Sequence, residues 1–347
     1  MMGGRRVNRA PRPEPLRVMS RAPVSRLFLP YLTVVGWVLG PVLLGAIWRK
    51  LGAPASASRR LFNVAFFGCQ TTITLFSLWI ARIDRSSALL PVLSTSGWLL
   101  TAAAAWLISR GLGHGRERRG AFIATMSQSN NGFTLLGFVA LALFGEAGLA
   151  QATYSQALNA PYLLLFCFPL ARLYSSAGAT AGKSLGQILL DNVTDPRVYL
   201  PLTTISAGLL LNRLEVPRPA AISQLVRPLI YVGTACSGVA VGLLYRGALL
   251  RRYWRENAVS FGYRSTLYPL YYAALAWLFG LGPLDARVLI LYGLVPSALL
   301  ANYLAVYFEL DTELTSSVFV VSTVTFLLGV LPAYAYLSAL PASQLGR

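Results

Sequence analysis

Ten long apolar runs follow one another along the chain. They cover roughly residues 27–47, 61–81, 88–109, 120–145, 149–171, 197–213, 222–245, 260–281, 286–307 and 314–339. Each is near the length of about 20 residues that a helix needs to cross a hydrocarbon core of roughly 30 Å. None divides into short alternating stretches with turn signals between them, so the pattern predicts helices and no strand series. Five runs precede a polar connector over 172–196, which holds Ser175, Ser176, Gly178, Gly182, Lys183 and Ser184, and five follow it. An odd number of spans per half makes the second half enter the membrane from the opposite side, the arithmetic of an inverted-topology repeat. The pattern therefore predicts an all-α membrane protein of about ten transmembrane helices. They form two inverted five-helix repeats, 27–171 and 197–340, flanked by a tail over 1–26 and a short one over 341–347.

Two runs are interrupted near their middles, and they hold corresponding places in the two halves. The fourth is broken at Ser127-Gln128-Ser129-Asn130-Asn131-Gly132-Phe133, the ninth at Val295-Pro296-Ser297, with Asn302-Tyr303 soon after. The polar residues of the first break would cost several kcal/mol if they faced lipid, so they face protein or a water-filled cavity. Small and amide residues also glue helices together, which is the plainer use of such a stretch. Pro296 removes one backbone bond and favours the first turn of a new half-helix; a simple kink is its plainer reading. Paired interruptions in corresponding spans are the sequence mark of a transporter's binding site. Each half-helix that starts at a break offers free N–H groups and about half a positive charge. Two such ends near the midplane suit a carboxylate without a fixed cation. Asn130, Asn131, Ser297 and Asn302 are expected to add donors, with Gly132 and Pro296 shaping the breaks. The other polar positions read as helix-packing contacts: Gln70, Thr71 and Thr72; Tyr154, Gln156 and Asn159; Thr203, Thr204 and Ser206. Arg227 and Arg264, near span ends, read as snorkelling side chains.

Composition agrees with lipid as the solvent. Of 347 residues, 55% are hydrophobic and only 12% charged, against about 25% charged in soluble domains; the mean hydropathy is +0.57. The net charge of +18 raises nucleic acid as a partner. The basic residues, however, sit between apolar runs, where a membrane protein keeps them, so no nucleic-acid partner is expected. Lys and Arg in or beside the connectors after spans one, three, five, seven and nine number 16, against 7 on the other side. The first set is expected to be cytoplasmic, which places both termini outside. The tail opposes that bias with seven Arg; it reads as disordered, as an over-long start with Met19 as the initiator, or as an Arg-rich transit segment.

The chemistry-bearing residues are informative by position. Cys69, Cys167 and Cys236 lie inside apolar runs and the single histidine, His114, in a charged connector, so no metal site and no disulfide framework is expected. All 12 acidic residues lie in the tail, in connectors or at span ends. Proton relays and many cation sites use carboxylates inside the membrane, so obligatory coupling through one is disfavoured. Sodium held by backbone carbonyls and hydroxyls stays open. An intramembrane enzyme needs acid–base or metal residues at membrane depth, so no enzymatic activity and no cofactor are expected.

At these residues the chain resembles the auxin efflux carrier family, which includes bacterial permeases for small organic anions. The likeness is carried by SNNGFTLLGFVALALFGEAGLA in span four, DPRVYLPLTTISAGLLLNRLEVPRP at span six and VPSALLANYLAVYFELDTELTSSVFVVSTV across spans nine and ten. It implies broken fourth and ninth helices that cross at the centre, and alternating access by one bundle moving against a scaffold. The family's Gly and Pro after the first break correspond to Leu135 and Gly137, its Asn four residues after the second-break Pro to Leu300, and its usual Pro in span two to the Cys69-Gln70 region. The expectation is thus a secondary transporter, a multi-pass protein of the cell's inner membrane. It moves a small organic carboxylate anion through a site built from Asn130, Asn131, Gly132, Gly137, Pro296, Ser297 and Asn302, uncoupled and voltage-sensitive. Homo-oligomerisation is left open. A non-transporting sensor or scaffold on the same fold is the alternative.

Overall fold

The computed structural model describes residues 24–54, 56–84, 87–175, 187, 196–244 and 251–339. The tail expected over 1–26 and the segment 341–347 lie outside the described residues, except that Val24, Ser25 and Arg26 open the first helix. Most of the 172–196 connector lies outside them too.

The first half begins with α1 (Val24–Lys50). Next, α2 (Ala57–Asn63) runs through a π-helical turn, Val64–Gln70, into α3 (Thr71–Trp79). After α4 (Leu90–Gly111) the fourth run opens with α5 (Arg116–Ser127), stops, and resumes as a π turn, Phe133–Gly137, leading into α6 (Phe138–Tyr154). At Gly145 inside α6 the backbone turns with φ 69° and ψ −162°, a region open to glycine alone. Span four therefore ends at Phe144 and span five starts at Glu146. A turn at residues 155–158, at the polar positions Ser155 and Gln156, interrupts span five before α7 (Asn159–Tyr162), a π turn, Leu163–Cys167, and α8 (Phe168–Tyr174).

The second half holds α9 (Pro196–Arg213), α10 (Ala220–Leu244) and α11 (Trp254–Gly262), whose π turn, Tyr263–Leu267, leads to α12 (Tyr268–Leu278). The ninth run is split into α13 (Pro283–Leu294) and α14 (Leu299–Tyr307). The tenth is α15 (Thr312–Thr325), a π turn, Phe326–Val330, and α16 (Leu331–Ala339). Counting π turns as continuous and taking Phe133–Tyr154 across its bend at Gly145, six helices among the described residues are long and apolar enough to cross a membrane, and those residues form no strand beyond one isolated bridge. The chain is an all-α, multi-pass membrane protein.

Proline explains most of the π turns. Pro169, Pro269 and Pro332 each sit at the second residue of the helix after one, and proline cannot donate to the carbonyl four residues earlier. Widening the helix by one residue absorbs the missing bond, and such widenings cluster at functional sites.

Several helix pairs pack backbone to backbone, among them α12 and α13, where a Cβ on Gly293 would lie 2.9 Å from Pro269 Cα. In the pair α1 and α10, a Cβ on Gly45 would lie 2.1 Å from the Val239 carbonyl oxygen. In the pair α3 and α9, a Cβ on Gly208 would lie 2.9 Å from Leu78 Cβ, and Asn212 Nδ2 donates to the Trp79 carbonyl at 3.0 Å. The other helices pack around an aromatic centre of Trp98, Tyr162, Tyr268, Tyr272 and Tyr292, all buried. Trp98 meets Tyr162 with ring centroids 4.6 Å apart, and Tyr272 OH donates to the Ser94 carbonyl at 2.7 Å.

Beyond the spans, His114 in the α4–α5 connector is buried, with Nε2 2.9 Å from Glu256 Oε1 and Nδ1 3.1 Å from Ser109 Oγ. Burial pushes its pKa below the ordinary 6.5; the Glu256 hydrogen bond opposes that, and Arg118 and Arg119 reinforce it. The folded protein therefore keeps the imidazole neutral where the unfolded chain already binds a proton. Its contribution to stability is complete above pH 6.5 and is lost as the pH falls toward the folded value. His114→Gln is expected to flatten the acid-side fall of the thermal midpoint, read from melts of the purified protein below pH 6.5.

Candidate functional site

The two breaks meet. Ser129 and Ser297 form an antiparallel bridge. Asn130 N donates to the Pro296 carbonyl at 2.7 Å, and Ala298 N donates to the Gln128 carbonyl at 3.0 Å. Extended backbone can exist at this depth only because it is enclosed by protein: Gln128, Ser129, Asn131 and Ser297 are all buried. Ser297 Oγ donates to the Thr125 carbonyl at 2.9 Å, and Ser297 N donates to Ser322 Oγ at 3.2 Å, which fastens the second break to α5 and α15. Pro296, with no N–H of its own, costs the bridge nothing because only its carbonyl is used.

Five of the expected residues come together in this crossing: Asn130, Asn131, Gly132, Pro296 and Ser297. Asn130 is half-buried, and Thr134 Oγ1 donates to its Oδ1 at 3.1 Å. That leaves the amide NH2 of Asn130 without a partner among the described residues. Asn131 Oδ1, Gln128 Oε1 and Gln70 Oε1 are buried with no protein partner. A Cβ on Gly132 would lie 3.8 Å from Gln70 Oε1, so span two also borders the crossing, through a residue whose sequence context reads as helix packing. Gly137 borders the first break through its backbone: its N donates to the Gly132 carbonyl at 3.1 Å, while a Cβ on it would lie 3.1 Å from Leu149 Cδ1. Asn302 Oδ1 accepts from Ser316 Oγ at 3.2 Å, tying α14 to α15.

Four half-helix ends converge here. The N-terminal ends belong to the segment from Phe133 to Phe144 and to α14. There the backbone N–H groups of Gly132, Phe133, Thr134, Leu299 and Leu300 find no backbone acceptor among the described residues, as the first turn of any helix requires. The C-terminal ends belong to α5 and α13, and they are served by one side chain. Arg264, only 3% exposed, donates through Nη2 to the carbonyls of Thr125, Met126 and Gln128 at 3.0, 2.8 and 2.8 Å. Its Nη1 donates to Ser129 Oγ at 2.7 Å and the Val295 carbonyl at 3.2 Å.

This corrects two expectations. Arg264 does not snorkel from a span end; it lies inside the crossing. The crossing also contains a fixed cation, against the expected site without one. The physical reason is that carbonyls at helix C-terminal ends carry partial negative charge and lack intrahelical donors, which a guanidinium satisfies. The sequence signal was a lone Arg four residues into an apolar run, five residues before Pro269. The π turn created there carries Arg264 itself.

No family model matches the chain. A curated protein of Methanothermobacter thermautotrophicus bearing the name "Uncharacterized transporter" is 27% identical over 307 residues, which span 84% of this chain and 94% of that protein. Over 84% of its length the chain is similar to a protein named as a transporter.

Proposed function

We propose that this protein is a membrane transporter, a secondary carrier of the auxin efflux carrier type that moves a small organic carboxylate anion by alternating access. The observation that carries the reading is the pairing of two half-helix N-termini, with their unserved amides, beside the free NH2 of Asn130. Such ends attract anions, and the helix C-terminal ends that would repel one are already neutralised by Arg264. The similarity to a protein named as a transporter points the same way.

On this reading the ten spans are two inverted five-helix repeats, in which span one corresponds to six and span two to seven. The pairing of span one with seven (α1 with α10) then maps onto that of six with two (α9 with α3). Spans five and ten share a π turn followed by Phe168-Pro169 and Leu331-Pro332. These two glycine-packed pairs form the scaffold, and the elements around the crossing move against it. Transport is uncoupled: one negative charge leaving down about 100 mV releases about 2.3 kcal/mol.

A thermal-shift screen of the purified protein against small mono- and dicarboxylates, with and without sodium, tests the binding step. At least one carboxylate is expected to raise the midpoint by a few degrees, while neutral amide analogues do not. A flat response across the whole set refutes the carrier reading and leaves a non-transporting scaffold.

A further inference from the structure

We infer that Arg264 is a tethered cation that occupies the crossing's cation position and frees the carrier from any need for a dissociable one. This rests on the crossing being the transport site, but the binding experiment below needs no substrate. In carriers with broken helices, unwound carbonyls and half-helix C-terminal ends coordinate Na⁺ or H⁺, while the N-terminal ends hold the anion. Here the corresponding oxygens are the Thr125, Met126, Gln128 and Val295 carbonyls and Ser129 Oγ, all within 3.2 Å of one guanidinium. They come from both breaks, so a single positive charge holds the α5 and α13 ends side by side.

The charge balance supports the assignment. No carboxylate pairs with Arg264 among the described residues. A buried cation is otherwise costly and is normally paired. The compensation comes from helix C-terminal ends, roughly half a negative charge each, so two ends and one guanidinium come close to neutral. A guanidinium also reaches several oxygens at fixed angles and keeps its proton, whereas a bound ion can dissociate. Removing the side chain would leave four carbonyls and a hydroxyl around the space that the two terminal guanidinium nitrogens fill, three oxygens at Nη2 and two at Nη1, hard oxygen ligands of the kind that small hard cations take.

The test compares wild type, Arg264→Lys, Arg264→Ala and Arg264→Gln in lipid nanodiscs, by thermal melts in choline chloride, sodium chloride or millimolar guanidinium chloride at constant ionic strength. Wild type and Arg264→Lys are expected to melt alike in choline and sodium, because both carry the charge. Arg264→Ala is expected to lose stability in choline and to recover about 5 °C when sodium or guanidinium is roughly a hundred-fold above its Kd. Arg264→Gln keeps hydrogen-bond donors without the charge and is expected to follow Arg264→Ala. If neither neutral variant folds in choline while Arg264→Lys does, the requirement for charge is upheld. Equal melting of Arg264→Gln and Arg264→Lys in choline overturns the inference, because the charge is then dispensable. So does failure of Arg264→Lys together with Arg264→Gln, because shape alone then holds the crossing. A neutral variant that folds but ignores both cations overturns it as well. A carrier that binds no carboxylate but passes this test loses the transport reading and keeps the tethered cation.

Discussion

Gly242→Leu is expected to stop the protein from accumulating as a folded, monodisperse species, while Gly40→Leu is tolerated. A Cβ on Gly242 would stand 2.0 Å from the Val42 carbonyl oxygen and 2.7 Å from Ala46 N, both backbone atoms of α1 that cannot rotate aside. Overpacking with flexible neighbours costs about 1–3 kcal/mol; here two helix backbones must separate along their shared face. A protein with about 5–15 kcal/mol of stability cannot absorb that with a leucine. Gly40, one turn away on α1, has nothing within 4 Å of its Cβ position. Size-exclusion profiles and melts of the two variants separate a packing effect from a general intolerance of α1.

The second large effect is expected at Asn130. Asn130→Ala removes the amide NH2 left free by the Thr134 contact and leaves the backbone bond from Asn130 N to Pro296 in place. A hydrogen bond to a charged group is worth about 1.5–3 kcal/mol, so carboxylate affinity is expected to fall about 10- to 100-fold. Without ligand the variant should lose only the half-buried Thr134 hydrogen bond to Oδ1, about 0.5–1.5 kcal/mol, because the deleted NH2 has no protein partner among the described residues. Titration of the best ligand from the carboxylate screen measures the change. A variant that folds and binds as wild type does would assign the polar break to helix packing.

Much of the helical order is legible in the sequence because membrane helices announce themselves by length and hydropathy. The long spans starting at Val24, Ala57, Leu90, Ala220 and Thr312 are all visible as apolar runs, with boundaries displaced by a few residues. The breaks are visible too, because polar residues and proline are costly at membrane depth unless the helix is interrupted and enclosed there. What stays hidden depends on contacts between distant segments. The turn at residues 155–158 coincides with Ser155, Gln156 and Asn159 ahead of Pro161, polar positions that read equally well as helix-packing contacts within one span. Nearness to a span end makes Arg264 look like a snorkelling side chain, which is sound when the helix faces lipid. Its real surroundings, the carbonyl ends of α5 and α13, lie more than a hundred residues earlier in one case and about thirty later in the other. No local pattern couples them. The neighbour of Gln70 is hidden for the same reason: nothing near it in the chain shows that Gly132 lies alongside.

The most direct test of a voltage-driven carboxylate carrier is efflux from proteoliposomes loaded with a labelled organic carboxylate, at a series of imposed potentials. The structure-based reading predicts efflux that rises as the loaded side is made more negative, is unchanged when choline replaces sodium, and is strongly reduced by Asn130→Ala. A rate indifferent to potential, or no efflux of any carboxylate that the protein binds, would contradict it.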